Sequence, residues 1–116
     1  MSKSAVNLAN ELLGRSKASF EFLEIHQFED NLAAHDDVAM EQLYSDFESQ
    51  FEQAQSELSA CYGEPSPTGD DDDEVIPING VLRFAIWSVG GKLLYLATAH
   101  EDRELPILLM LGTALR

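Results

Sequence analysis

The chain has 116 residues, a length typical of one domain, and its 45% of apolar residues is enough to build a hydrophobic core. Its formal net charge is −14, and such a surface repels nucleic acid and anionic membrane because both are polyanions. The composition therefore excludes these two partners and favours a basic one.

The sequence gives no sign of export or of a membrane segment. No apolar run approaches the ~20 residues of a transmembrane span, and residues 1–15 lack the apolar core of a secretory signal. Cys61 is the single cysteine, so no internal disulfide can form. We therefore expect a cytoplasmic protein.

The first predicted element is helical. Leucines recur at helical spacing after Ser4, a residue type that caps helices. A second apolar pattern follows, and we interpret both as one long helix that bends or breaks near residues 14–19 and ends near Ala34. The alternative is a short strand over residues 20–25, because aromatic and β-branched residues favour strands.

The clearest predicted helix runs from about Val38 to Tyr62. Its apolar side chains recur at steps of three and four residues and fall within one arc about 120° wide, which indicates a single buried stripe. Asp37 and Gly63 are suitable residues for its two ends. The stripe consists of Met40, Leu43, Tyr44, Phe47, Phe51, Ala54, Leu58 and Cys61.

Residues 64–80 are predicted to form an acidic, mobile linker. Pro65, Pro67 and Gly69 stop the preceding helix. The acidic run over residues 70–74 then repels itself and resists burial. The predicted helical zone therefore covers residues 4–63 and ends where this linker begins.

Residues 81–113 are predicted to form a three-stranded antiparallel meander. Gly90 and Gly91 suit a tight two-residue turn that places Trp87 opposite Leu94, and the charged residues 101–104 form a second turn that places Leu96 opposite Leu109. The expected fold is α+β, with two or three N-terminal helices packed on a C-terminal three-stranded antiparallel β-meander. We expect one domain over residues 1–116.

Both faces of this meander are predicted to be apolar. An antiparallel sheet covered on one side usually has a polar outer face, so the second face needs a cover. Either helices cover both faces, or one face packs on another chain in a homodimer or with an obligate partner. The expected dimer or client face consists of Trp87, Leu94, Leu96, Ile107 and Leu109.

Acidic residues are concentrated in the middle of the chain. Between residues 18 and 82 there is no Lys or Arg, although opposite charges four residues apart would stabilise the helices there. A row of carboxylates beside an aromatic side chain is either a docking face for Lys and Arg or a solvated face that aids solubility. The residues expected to bind a partner are Asp37, Glu41, Tyr44, Glu48, Glu52, Asp71, Asp72 and Asp73.

The motifs for chemistry are weak. The run His-Glu-Asp at 100–102 contains residue types that bind metals, but adjacent residues on a turn diverge, and His26 and His35 lie at no matching spacing. The acidic run at 70–74 lacks the glycine of a calcium loop, and no nucleotide-binding motif is present. We therefore expect no catalytic residue, no metal and no cofactor.

These observations favour binding over catalysis. We expect a small, acidic, bacterial-type protein that docks a basic protein partner, as an inhibitor or a toxin-neutralising immunity-type protein would, an analogy of size and charge alone. Tyr44 and Trp87 are the candidate aromatic anchors. One alternative is a secretion or effector chaperone, or another dimeric adaptor, that uses an apolar sheet face. The other is a small enzyme that uses His100 and neighbouring acids.

Overall fold

The computed structural model describes residues 4–28 and 35–115. In chain order its elements are α1 (Ala5–Leu13), β1 (Phe20–His26), α2 (Asp37–Tyr62), β2 (Thr68–Gly69), β3 (Val81–Val89), β4 (Lys92–Ala99) and β5 (Ile107–Leu115). The strands form one antiparallel sheet in the order β1-β5-β4-β3-β2. The described residues therefore form two helices packed with a five-stranded sheet.

The prediction of two or three helices on a three-stranded meander is wrong. Strands β3, β4 and β5 do form a meander, but β1 joins it beside β5, and β2 joins it beside β3. Residues 20–26 form a strand and not the middle of a long helix, because aromatic and β-branched side chains suit a sheet and the backbone pairs with β5. The predicted helical end over residues 29–34 lies outside the described residues.

Helix α1 is short and is held at both ends. The Ser4 hydroxyl accepts a hydrogen bond from the backbone N–H of Asn7 at 3.1 Å, which caps the first turn as predicted. At the other end, Lys92 Nζ donates to the carbonyl oxygens of Leu13 at 2.7 Å and Arg15 at 2.6 Å. A cation at this end satisfies carbonyls that the helix itself leaves unpaired.

Helix α2 starts at Asp37, and Asp36 rather than Asp37 caps it by accepting a backbone N–H of the first turn at 3.1 Å. Gly63 ends the helix with a φ of 88°, in the left-handed region that favours glycine. Tyr44 and Cys61 of the predicted stripe are exposed. The buried stripe is therefore narrower than predicted and consists of Met40, Phe47, Phe51, Ala54 and Leu58.

The predicted register of β3 against β4 is confirmed. Trp87 lies opposite Leu94, as the glycine turn between the strands requires. Between β4 and β5 the register differs by two residues, and Leu96 pairs with Leu111 rather than with Leu109. Side chains alternate with a period of two, so this shift leaves every residue on its predicted face.

The two helices cover one face of the sheet. The sheet contributes to this core Ala85, Trp87, Leu94, Leu96, Ile107, Leu109 and Leu111. Trp87 Nε1 donates to the carbonyl oxygen of Gly63 at 2.8 Å, which ties the sheet to the end of α2. The indole nitrogen thus has a partner although the ring is buried.

The chain's own acidic segment covers part of the opposite face. Thr68–Gly69 pairs with β3, and Ile76 is only 4% exposed in a second core with Phe84, Ile86 and Tyr95 of the sheet. This face was expected to need helices or another chain. Residues 75–78 instead cover its β3–β4 half, and Met110 of β5 is buried in the same core, while the apolar residues of β1 are exposed.

Candidate functional site

The apolar face that was expected to meet a dimer partner or a client lies inside the molecule. Helices α1 and α2 pack against it. The expectation is therefore corrected, because the chain's own helices shield this face from any partner. Its residues are each at most 2% exposed: Trp87, Leu94, Leu96, Ile107 and Leu109.

Arg83 binds two carboxylates of the predicted acidic row. Its Nη1 forms ion pairs with Glu48 and with Glu52, the latter at 3.1 Å. The guanidinium also lies over the ring of Phe51, 4.9 Å from its centroid. Burial opposes the charge of Arg83, but the hydrogen bonds to the two glutamates outweigh it and raise the pKa of Arg83 above its ordinary value. This part of the row therefore holds α2 against β3.

The start of α2 is tied to the loop between β4 and β5. Arg103 forms an ion pair with Asp37, and His35 Nε2 lies 3.3 Å from Glu104 Oε1. All four side chains are largely exposed, so these pairs contribute little to stability. They show, however, that Asp37 of the predicted docking row already has a cation beside it.

His100 uses both of its ring nitrogens within the fold. Nε2 lies 3.0 Å from the carbonyl oxygen of Leu105, and a carbonyl only accepts, so Nε2 carries the proton. In the neutral ring Nδ1 then accepts from the hydroxyl of Tyr44 at 2.6 Å. Burial raises the pKa of Tyr44, and the nearby charge of Arg103 offsets part of that rise. Both nitrogens therefore have hydrogen-bond partners within the fold, and neither is free to bind a metal ion.

Three aspartates of the predicted linker accept hydrogen bonds from backbone N–H groups in and next to their own loop. Asp71 Oδ1 accepts from the backbone N–H of Asp72 at 2.8 Å. Asp72 Oδ1 accepts from Val81 at 2.9 Å, and Asp73 Oδ1 accepts from Val75 at 2.9 Å. Such local bonds are typical of Asp in turns. Sequence reasoning treated these residues as charge alone and missed this role.

The structure brings the acidic row and the acidic loop to one side of the molecule. Glu48 of α2 and Asp70 of the loop line the same cleft, which has a volume of about 580 Å³. Leu82 also lines it and is 37% exposed, because a bulge between Val81 and Arg83 turns it out of the sheet. Glu41, the remaining acid of the predicted row, is exposed.

The exposed apolar surface lies on the sheet face opposite the helices. We call Phe20, Phe22 and Ile25 of β1 the edge strip; they are 44%, 46% and 41% exposed. The two phenylalanine rings meet edge to face, with centroids 5.8 Å apart. Contiguous apolar surface of this kind on a protein often marks an interaction site. Sequence reasoning missed it because the segment was interpreted as helical.

The other face of β1 carries two glutamates. Glu21 lies opposite Leu111 and Glu24 opposite Leu109, so both belong to the helix side of the sheet. Glu21 Oε2 binds Arg15 Nη2 at 2.8 Å. Glu24 is exposed and lines, with Glu57 of α2, a shallow pocket of about 270 Å³. Leu23, at a bulge between Phe22 and Glu24, packs on the same side, so the helix side of β1 carries two acids and one apolar residue, and the opposite side carries the edge strip.

Within the described residues, no three His, Cys, Asp or Glu side chains converge so as to hold a metal ion. In the same part of the chain, no helix combines enough length with enough hydropathy to cross a bilayer. Comparison with protein-family models, with curated proteins and with solved structures finds no match to this chain.

Proposed function

We propose that this chain is a binding protein that docks a basic protein partner. The observation that carries the proposal is the placement of its cations, since all seven Lys and Arg residues lie outside residues 18–82. Four of them contact carboxylate or carbonyl groups of the same chain: Arg15, Arg83, Lys92 and Arg103. The net charge of −14 already counts all seven cations, and none of them lies within the acidic residues 18–82.

The acidic row and the acidic loop support this proposal through the field that they create. Arg83 neutralises only one of the two charges of Glu48 and Glu52, and the loop carries further exposed acids. A surface of one sign speeds the encounter with a partner of the opposite sign. In this proposal Asp37, Tyr44 and the residues of the acidic loop shape the field and the fold, and the close contacts lie elsewhere.

The more specific proposal is an inhibitor of the toxin-neutralising immunity type. It is supported by small size and strong acidity, which suit fast capture of a basic toxin. A second candidate is an adaptor or a chaperone, and the edge strip favours it because it offers exposed apolar surface. The small-enzyme alternative has the least support, since His100 is only 9% exposed and its hydrogen bonds join parts of the fold itself.

The experiment captures partners from a lysate of the source organism on the immobilised chain and then measures the rate of association with the purified dominant partner. A charge-reversed variant, Glu41→Lys with Asp46→Lys, tests the field, since both side chains are exposed on α2. The matched control is Ser45→Ala with Ser49→Ala, two uncharged changes at exposed positions of the same helix.

We expect a basic partner whose association with the charge-reversed variant is several-fold slower than with the wild type. The serine double variant should associate at the wild-type rate, because it changes no charge. A dominant partner that is acidic or neutral would contradict the proposal. Equal association rates for the wild type and the charge-reversed variant would contradict it as well.

A further inference from the structure

We infer that the open edge of β1 is the docking site, and that its occupant is an extended strand of the basic partner in which apolar and basic residues alternate. This inference rests on the proposed function, from which it takes the sign of the partner's charge. It adds the place of contact, the backbone geometry of contact and the side-chain pattern of the bound segment.

Strand β1 has an unpaired outer edge. It is the outermost strand of the sheet, and within residues 4–28 and 35–115 no strand pairs with its outer side. The backbone N–H of Thr113 donates to the carbonyl oxygen of Ser19 at 2.8 Å, and the Ser19 N–H donates to Thr113 Oγ1 at 3.4 Å, so these two residues stand at a hydrogen-bonded position of the antiparallel ladder with one of its two backbone bonds formed. Such pairs alternate along the ladder, which directs the N–H and C=O groups of Phe20 and Phe22 away from β5.

These outward groups form a template for a further strand. Exposed sheet edges bind extended peptides through main-chain hydrogen bonds, with alternate side chains supplying the specificity. Native proteins usually protect such an edge with Lys, Pro or a very short strand. Strand β1 spans seven residues, Phe20–His26, contains neither Lys nor Pro, and has one bulge, between Phe22 and Glu24, so its regular edge is the stretch from Phe20 to Phe22. The open edge is therefore suited to pairing.

The sheet face opposite the helices is only partly covered. The chain covers the β3–β4 half of this sheet face with its own residues 75–78, and Ile76 is almost completely buried there. The half next to β1 has no such cover among the described residues, and the edge strip stays more than 40% exposed. A strand added beside β1 would place every second side chain next to this strip. Those side chains should be apolar.

On the helix side of the sheet, an added strand would meet acidic side chains. Its alternate side chains would lie beside Glu21 and Glu24, with Glu57 of α2 close to Glu24. Arg15 pairs with Glu21 only, so the region keeps a negative charge. Oppositely charged residues on neighbouring strands attract each other. The bound segment should therefore carry Lys or Arg at the positions between its apolar residues.

The charges also argue against a second copy of this chain as the occupant. Two β1 strands related by a two-fold axis would place Glu21 and Glu24 beside their counterparts. Like charges on adjacent strands are destabilising, and each copy carries a net charge of −14. The partner strand is therefore expected to come from a different, basic chain.

The test uses a short, fluorescently labelled peptide in which Lys and Val alternate. Two further peptides serve as controls, one with Glu in place of every Lys and one with the same Lys and Val residues in separate blocks. Binding to the full chain is measured by fluorescence anisotropy, and amide hydrogen exchange locates the bound peptide. We expect the alternating basic peptide to bind most tightly and to slow exchange at Phe20 and Phe22.

Two variants at one position separate backbone pairing from the loss of the ring. Phe22→Pro removes an outward N–H, which an edge strand tolerates, while Phe22→Val keeps that N–H and an apolar side chain. We expect Phe22→Pro to weaken peptide binding about tenfold or more and Phe22→Val to weaken it much less. Glu24→Lys, at an exposed position, should also weaken binding and does not depend on the fold tolerating proline.

The outcomes distinguish this inference from the proposed function. If the basic peptide binds but slows exchange on α2 or on residues 70–74, the edge inference is overturned while the basic partner stands. If neither Lys-containing peptide binds even at low salt, both fail. If the Glu peptide binds as tightly as the Lys peptide, or if the free chain elutes as a dimer through β1, the proposed occupant is wrong.

Discussion

Single side chains join segments that lie far apart in this sequence. Tyr44 of α2 binds His100 in the loop between β4 and β5, and Tyr62 near the end of α2 binds Asn10 of α1 at 2.7 Å. The first contact involves a histidine that is only 9% exposed, whereas the second lies at the surface. The sequence offered no signal for either contact, because the spacing of polar residues does not reveal which helix faces which loop.

Because His100 is buried, we expect the Tyr44 hydroxyl that binds it to contribute to the free energy of unfolding. Tyr44→Phe leaves Nδ1 of the buried ring without a donor, and we expect a loss of about 1–2 kcal/mol in the free energy of unfolding. Tyr62→Phe is the matched control and should cost less, because water can replace its hydroxyl at Asn10. Urea unfolding of the three proteins measures the difference. A Tyr44→Phe variant as stable as the wild type would show that the hydrogen bond contributes nothing.

Tyr95 predicts a loss of stability at alkaline pH. Burial raises its pKa to about 12, whereas an unfolded tyrosine ionises near 10. A folded-state pKa above the unfolded value means that this stabilisation is complete below about pH 10 and is lost as the pH rises toward 12. Tyr95→Phe should therefore unfold with a shallower pH dependence between these values, as measured by thermal melts. An unchanged slope would mean that Tyr95 does not ionise on unfolding in this range.

At the scale of elements, β1 shows how far local pattern can be trusted. The stretch from Phe20 to His26 has apolar residues at both helical and alternating positions. Its local pattern therefore fits a helix as well as a strand. Pairing with β5 decides for the strand, and that pairing involves residues more than eighty positions away in the sequence. The β3–β4 hairpin was predicted with its register because the turn and both strands are local. Strands β1 and β2 were not, because their partners are distant.

The acidic segment also differs from its sequence-based expectation in its contacts. Asp72 and Asp73 bind backbone N–H groups, and Ile76 enters the second core. Charge alone suggested a segment that cannot bury anything, but three apolar residues follow the acids, at positions 75, 76 and 78. These residues are what attach the segment to the sheet.

Because residues 75–78 pack on the sheet, we expect truncation of Ile76, their buried side chain, to lower stability. Ile76→Ala should lower the free energy of unfolding by about 2 kcal/mol or more, because it leaves a cavity at a buried site. Ile78→Ala is the matched control and should cost less, since Ile78 is only half-buried. Equal stability of both variants and the wild type, together with fast amide exchange over residues 70–78, would show that the segment does not pack on the sheet.

For the whole molecule, the sequence established the charge but not its arrangement. The absence of Lys and Arg from residues 18–82 is visible in one dimension. That Arg83 and Arg103 lie against α2, and that the apolar residues of the meander are mostly covered by the chain itself, depends on contacts between distant segments. The exposed apolar side chains of the sheet thus lie mainly at its β1 edge and not at its centre.

We propose that this acidic molecule captures a basic protein through its charge. The most direct test is the dissociation constant of the purified complex with its dominant cellular partner, measured across a series of salt concentrations. We expect the dissociation constant to rise steadily with salt, mainly through slower association, because mobile ions screen the field that draws the partner in. If neither the dissociation constant nor the association rate changes with salt, charge does not draw the partner to this chain.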